Sequence, residues 1–184
     1  SATSTDGQLI RGGQGNDTIT GIGTDTTGTM ATTTLHDIAY GGQGNDTIAL
    51  AGSNFTRVDG GLGIDTLTLS GANMALDLAS YGTQIQGFEK FNLGSGGNTL
   101  NLSLTDVLRQ PGYVNALGHI EISGGVSDGI GLAGEGAWTT GTSQNVAGVT
   151  YHVYHNSSLP ASNTKADVWV QEGVVVGANQ VIVK

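Results

Sequence analysis

The sequence predicts an all-β fold that begins as a coil of short repeats and ends in a cap of antiparallel strands. Three observations lead there. A glycine-rich phrase, GGQGNDTI, occurs twice, at Gly12–Ile19 and Gly41–Ile48, and a looser copy, GGLGIDTL, runs from Gly60 to Leu67. Glycine fills 32 of 184 positions and proline only two. Long helices are disfavoured, since each glycine inside one costs roughly 1 kcal/mol relative to alanine. Collagen is excluded for want of a three-residue period with abundant proline. Finally, Thr, Val, Ile, Leu and Tyr alternate with Gly, Asn, Asp and Ser, as in short strands joined by tight turns.

Aligned at Gly12, Gly41 and Gly60, the copies define a nine-residue unit, Gly-Gly-x-Gly-x-Asp-x-apolar-x. Its aspartate slot holds Asp17, Asp46 and Asp65, and its apolar slot holds Ile19, Ile48 and Leu67. Decayed units lie between them. Residues 3–11 place Ile10 in the apolar slot but Gln8 in the acid slot. Residues 32–40 keep Asp37 and Ala39, and residues 51–59 keep Gly52 and Val58 but carry Thr56 for the acid. Residues 21–31 break the frame, and a one-residue shift to TGIGTDTTG (20–28) restores two glycines and Asp25. About seven units span residues 3–68, three of them complete. The perfect copies do not fall nine or eighteen residues apart, so the coil is irregular, and which turns pair across Asp17 and Asp46 is left open.

The charge balance suits such turns. Fifteen acidic residues face six basic ones, for a net charge of −9. A chain this acidic does not bind nucleic acid by neutralising phosphates. It attracts cations, and its compact form gains from a counter-ion. The absence of cysteine removes disulfide and thiolate chemistry. No apolar run approaches ~20 residues, so no membrane span is expected. The opening SATSTDGQ reads as a fragment of something longer.

The unit resembles the nonapeptide of the repeats-in-toxin (RTX) family. That resemblance implies a calcium-bound parallel β-roll or β-solenoid, with six residues of each unit in a turn and three in a strand. The physics agrees. Paired glycines let the backbone bend through positive φ, carbonyls and a carboxylate supply oxygens, and Ca²⁺ takes six to eight of them. One turn offers too few, so stacked turns share ions, several in all. The first candidates are Asp17, Asp46 and Asp65, with carbonyls near Gly13, Gly15, Gly42, Gly44, Gly61 and Gly63. Asp25, Asp37 and Asp59 are second candidates, or else solvated turn residues. The alternative, plain hairpin turns, accounts for the Gly and Asn content but not for the constant placing of the three aspartates.

From residue 64 the pattern turns to alternation, in IDTLTLSG, MALDLAS, FEKFNLG and NTLNLSL, which read as strands of a looser solenoid. SLTDVLRQPG (103–112) reads as one helical turn with a Ser or Thr cap and a Pro-Gly stop. The last third, with both Trp residues, reads as antiparallel strands that cap the coil or form a small sandwich. The expected divisions are a calcium-binding roll over 1–70, a solenoid extension with a short helix over 71–112, and a cap or secretion-associated region over 113–184. The segment order after Asp59 is similar to the C-terminal end of large bacterial RTX adhesins. This implies type I secretion machinery as a partner, further adhesin chain upstream, a C-terminal secretion signal, and a secreted or cell-surface location.

No catalytic pattern is present: there is neither a His-Glu-x-x-His motif nor a Gly-x-Ser-x-Gly elbow, and a non-enzymatic role is expected. His152 and His155 stand at odd spacing on one strand and so face opposite sides. Trp138 and Trp169 are expected in the core, Asp128 in a plain turn within residues 123–129 or else on a further ion, and the Thr-rich stretch 23–35 in a loop or coil insertion. The function expected is calcium-dependent folding at the end of an exported adhesin. The alternative is a calcium-dependent glycan- or peptide-binding domain, with ring faces of Tyr113, Trp138, Tyr151, Tyr154 or Trp169 around the ligand.

Overall fold

The computed structural model describes residues 2–3, 7–24, 36–110, 117–134, 136–160, 162–163, 166–177 and 182–183. Asp25, Tyr113, most of the Thr-rich stretch and the Pro-Gly stop lie outside the described residues. The chain is mostly β. Its strands are β1 (Ala2–Thr3), β2 (Leu9–Gln14), β3 (Thr18–Ile22), β4 (Asp37–Gln43), β5 (Thr47–Leu50), β6 (Phe55–Leu62), β7 (Thr66–Leu69) and β8 (Ala75–Asp77). A helical turn, α1 (Leu78–Tyr81), and a 3-10 turn follow, then β9 (Ile85–Gln86), β10 (Lys90–Asn92), β11 (Thr99–Ser103) and α2 (Leu104–Arg109). The rest is β12 (Ile120–Ser123), β13 (Gly129–Ala133), β14 (Trp138–Thr140), β15 (Gln144–Val146), β16 (Val149–Asn156), β17 (Val168–Gln171), β18 (Val175–Val176) and β19 (Ile182–Val183).

The chain alternates between one long sheet and one of two short ones. The long sheet runs β1-β3-β5-β7-β10-β12-β17-β16-β14-β19, with β15 on β16. The short sheets run β2-β4-β6-β9 and β8-β11-β13-β18, and every pairing within them is parallel. Register stacks like on like. Ile19, Ile48, Leu67, Phe91, Ile122 and Val170 pair in succession along the long sheet, each at most 2% exposed. Ile10, Ala39, Val58 and Ile85 form the facing row in a short sheet. Leu76, Leu100, Ile130 and Val176 form another. Burying each Ile or Leu contributes about 1.5–3 kcal/mol, so these rows carry much of the stability.

Two sequence expectations need correction. MALDLAS is not all strand: after Asp77 the chain turns into α1, because the Asp77 carboxylate accepts the Ala79 N–H at 3.2 Å and caps a helical turn. Nor is the last third uniformly antiparallel. β14, β15 and β16 pair antiparallel as expected, and β16 runs antiparallel to β17. But β12, β13, β17 and β18 extend the parallel sheets, so parallel stacking continues well past residue 113. Only the core rows reveal this, since Ile122 and Val170 continue the row begun by Ile19. The helix at 104–109 forms as expected. Ser103 caps it, with Asp106 completing a capping box.

Candidate metal centre

The glycine phrases stack directly on one another. Gly13, Gly42 and Gly61 are in register, and each has φ above +100°. Gly15, Gly44 and Gly63 stack likewise, the carbonyl of Gly15 approaching Gly44 and that of Gly44 approaching Gly63. The turns so paired begin at Gly12, Gly41 and Gly60. This settles the pairing left open by sequence: Asp17, Asp46 and Asp65 lie in one column, 29 and then 19 residues apart.

The column is bonded like a ladder. The Asp17 N–H donates to Asp46 Oδ1 and the Asp46 N–H to Asp65 Oδ1, each at 2.7 Å. The Asp65 N–H donates to Glu89 Oε2, also at 2.7 Å. Oδ1 of Asp46 and Oδ1 of Asp65 are thus satisfied. Their second oxygens are not: Oδ2 of Asp46 and Asp65, like Oδ2 of Asp17, is buried with no hydrogen-bond partner. Asp46 and Asp65 are 1% and 0% exposed. An unmatched buried carboxylate oxygen is costly unless something positive meets it. Burial, above all, then the charges of Glu89, Asp46 and Asp59, push the Asp65 carboxyl up to about 7, against a lowering by the Asp46 N–H.

The orphan oxygens look into space that glycine keeps open. A Cβ on Gly12 would strike Asp17 Oδ2 and the Gly41 carbonyl. On Gly41 it would strike Asp46 Oδ2 and the Gly60 carbonyl, and on Gly60, Asp65 Oδ2 and the Gly87 carbonyl. Every donor is oxygen, carboxylate or carbonyl, the set a hard divalent cation such as Ca²⁺ takes. Among the described residues no three His, Asp or Glu side chains converge on one metal position. Any ion here would draw most of its ligands from the backbone.

Of the second-rank aspartates, Asp37 and Asp59 lie among the described residues. Asp37 is fully buried and accepts the N–H groups of Gln8 and Gly23, both at 3.0 Å, pinning the opposite turn. Asp59 lies in β6, paired with Arg57 at 2.9 Å and with Gln86 at 2.8 Å. Sequence reasoning missed Glu89, which lacks the glycine phrase, and the carbonyls of Gly41 and Gly60. Their positions in the repeat were visible, but the direction of their carbonyls was not.

A second ladder lacks this chemistry. Met74 N–H donates to Asn98 Oδ1, and Asn98 N–H to Asp128 Oδ1, both at 2.7 Å. Here the Asn98 amide nitrogen donates to the carbonyls of Leu93 at 2.8 Å and Gly71 at 2.9 Å, so a side-chain N–H₂ fills the interior position. Asp128 also takes the Gly125 N–H at 2.7 Å, as a turn residue does.

Near the antiparallel strands lies a cavity of 760 Å³ lined by His119, Gln144, His155, Asp167 and Trp169, among others. His119 stacks on Trp169 with ring centroids 3.8 Å apart. His155 Nδ1 meets Asp167 Oδ1 at 2.7 Å and its Nε2 meets the Leu159 carbonyl at 3.3 Å, while His152 Nδ1 contacts Ser143 Oγ at 3.2 Å. Trp138 is core, 2% exposed, with its indole N–H on the Ala133 carbonyl. Trp169, by contrast, is half-buried at the cavity. No helix among the described residues is long and apolar enough to cross a membrane.

No family model, curated protein or solved structure matches this chain.

Proposed function

We propose that this chain is a non-enzymatic, calcium-dependent folding module of the RTX kind. In this reading it is a parallel β-roll running on into a looser β-solenoid at the C-terminal end of an exported bacterial adhesin. The observation that carries the reading is the column of buried, unpartnered Oδ2 atoms of Asp17, Asp46 and Asp65 facing stacked glycine turns. Bound calcium supplies the positive charge and coordination those oxygens lack. Without it, stacking brings the three carboxylates and Glu89 together inside a partly dry column, and the repulsion favours the open chain. The glycines add to that, since they lose more conformational freedom on folding than other residues. A ligand bound only by the folded form converts binding free energy into folding free energy. The chain therefore stays extended where calcium is scarce, as in the cytosol during type I secretion, and folds at the cell surface. Far-UV circular dichroism with calcium and with chelator tests this. A large gain in β signal on adding calcium is expected, and equal signals in both would overturn it.

A second reading, calcium-dependent recognition of a glycan or peptide, is favoured by the cavity beside the stacked His119–Trp169 pair. A glycan array probed with and without calcium separates the two. Calcium-dependent retention on any glycan supports recognition, and none leaves folding alone.

A further inference from the structure

The glycine repeats end at Leu67, yet the ladder has another step. Gly87 lies against Gly60 and Gly61 with φ +76°, and its carbonyl reaches the space beside Gly60. Two residues on, Glu89 is 3% exposed and accepts the Asp65 N–H at 2.7 Å, as Asp65 does for Asp46 and Asp46 for Asp17. We propose that Gly87–Glu89 is a fourth, cryptic rung, and that the gap between Asp65 and Glu89 is a divalent-cation site in its own right. This rests on the calcium reading above and adds to it an ion that the repeat alone does not announce.

The case is the sameness of three gaps. In each, a glycine without Cβ faces two oxygens: the Oδ2 of its own rung's aspartate and a glycine carbonyl from the next rung. The pairs are Asp17 with Gly41, Asp46 with Gly60, and Asp65 with Gly87. In the third gap Asp65 Oδ2 is buried without a partner, on a residue with no exposure at all. The cryptic turn is shorter, with one residue between glycine and acid where the repeat has four. The side chain compensates, since glutamate reaches one methylene further than aspartate. The rung is also fixed from behind. The N–H groups of Glu89 and Lys90 donate to the Asp65 carbonyl at 3.2 and 3.0 Å. Phe88 is fully buried, and its N–H lies 3.3 Å from Oε1 of buried Gln110. The third gap is therefore anchored to the segment that follows α2.

The test is calcium calorimetry on the wild-type chain and on Glu89→Gln, which keeps size and an acceptor for the Asp65 N–H. Glu89→Gln should bind one ion fewer, or bind one ion at least tenfold more weakly. Calcium binding unchanged in number and affinity would overturn the cryptic rung while leaving the folding module intact. A wild-type chain that binds no calcium would sink the folding module itself. Should Glu89→Gln not fold, a paramagnetic lanthanide loaded into ¹³C-labelled wild type decides. The Glu89 carboxylate and Gly87 carbonyl signals should broaden as strongly as the Asp65 carboxylate. Broadening of Asp65 without Glu89 would overturn the proposal.

Discussion

Asp46 gives its backbone N–H to Asp65 Oδ1 at 2.7 Å while its own Oδ2 stays buried without a partner. The same residue is thus well bonded through its main chain and through Oδ1, yet unmatched at Oδ2. That split makes Asp46→Asn informative. With chelator present, the substitution removes a buried charge from a column of acids and should stabilise the fold by about 1 kcal/mol. With calcium present, it should weaken binding by about tenfold or more, because a neutral amide replaces an anionic ligand. Thermal melts in the two conditions, read by circular dichroism, should therefore move in opposite directions.

Asp65 sets a pH dependence for the metal-free fold. Its folded pKa, about 7, lies above the ordinary 3.8, so the folded state holds the proton more tightly than the unfolded state. Its contribution is most favourable below pH 3.8 and is lost as pH rises through 7. In chelator, urea stability should increase as pH falls from 8 to 5, by up to about 2–3 kcal/mol from this group. Calcium should reverse the slope, since ionised carboxylates bind it. A metal-free stability that is flat over this range would show that Asp65 is not held as described.

Gly13 and Gly42 occupy equivalent places in the repeat but should tolerate alanine differently. A Cβ on Gly13 meets nothing within 4 Å, so Gly13→Ala costs only the strain of φ +108°, about 1–3 kcal/mol. At Gly42, φ is +122° and the added Cβ also strikes the Gly13 carbonyl of the neighbouring rung. Gly42→Ala should cost roughly twice as much and lower the calcium stoichiometry, as measured by denaturant titration and calorimetry.

The apolar row should be insensitive to metal. Ile48 has no exposure and sits between Ile19 and Leu67 in register. Ile48→Ala should cost about 2–5 kcal/mol in saturating calcium, with no change in the number of ions bound.

Asn98→Asp probes the second ladder. A carboxylate there would face the Leu93 and Gly71 carbonyls that the amide now serves. The loss of two donations and the new repulsion should cost about 3 kcal/mol in chelator by denaturant titration.

The repeat was legible because its two slots do separate jobs at fixed spacing. Ile19, Ile48 and Leu67 fall in one core row, and Asp17, Asp46 and Asp65 in one column, as the nine-residue frame implies. The pairing of turns was not legible, because it depends on how much chain separates successive rungs, 29 residues in one case and 19 in the next. Glu89 was hidden for a related reason: ladder bonding asks only for a carboxylate at the right height, which FEKF supplies without the glycine phrase. The fate of the last third turned on register. GHIEIS and ADVWV look like any short strands, and only their alignment with Phe91 makes them part of the parallel stack.

The carboxylate ladder has a direction. Asp17 depends on Asp46, Asp46 on Asp65 and Asp65 on Glu89, each through an acceptor that comes later in the chain. Within the ladder, removing rungs from the N-terminal side therefore exposes only an acceptor oxygen, which water readily satisfies. Clipping from the other side strips a buried N–H of its only charged partner and uncaps everything before it. The ladder is built like masonry on a footing: its foundation is the rung made last.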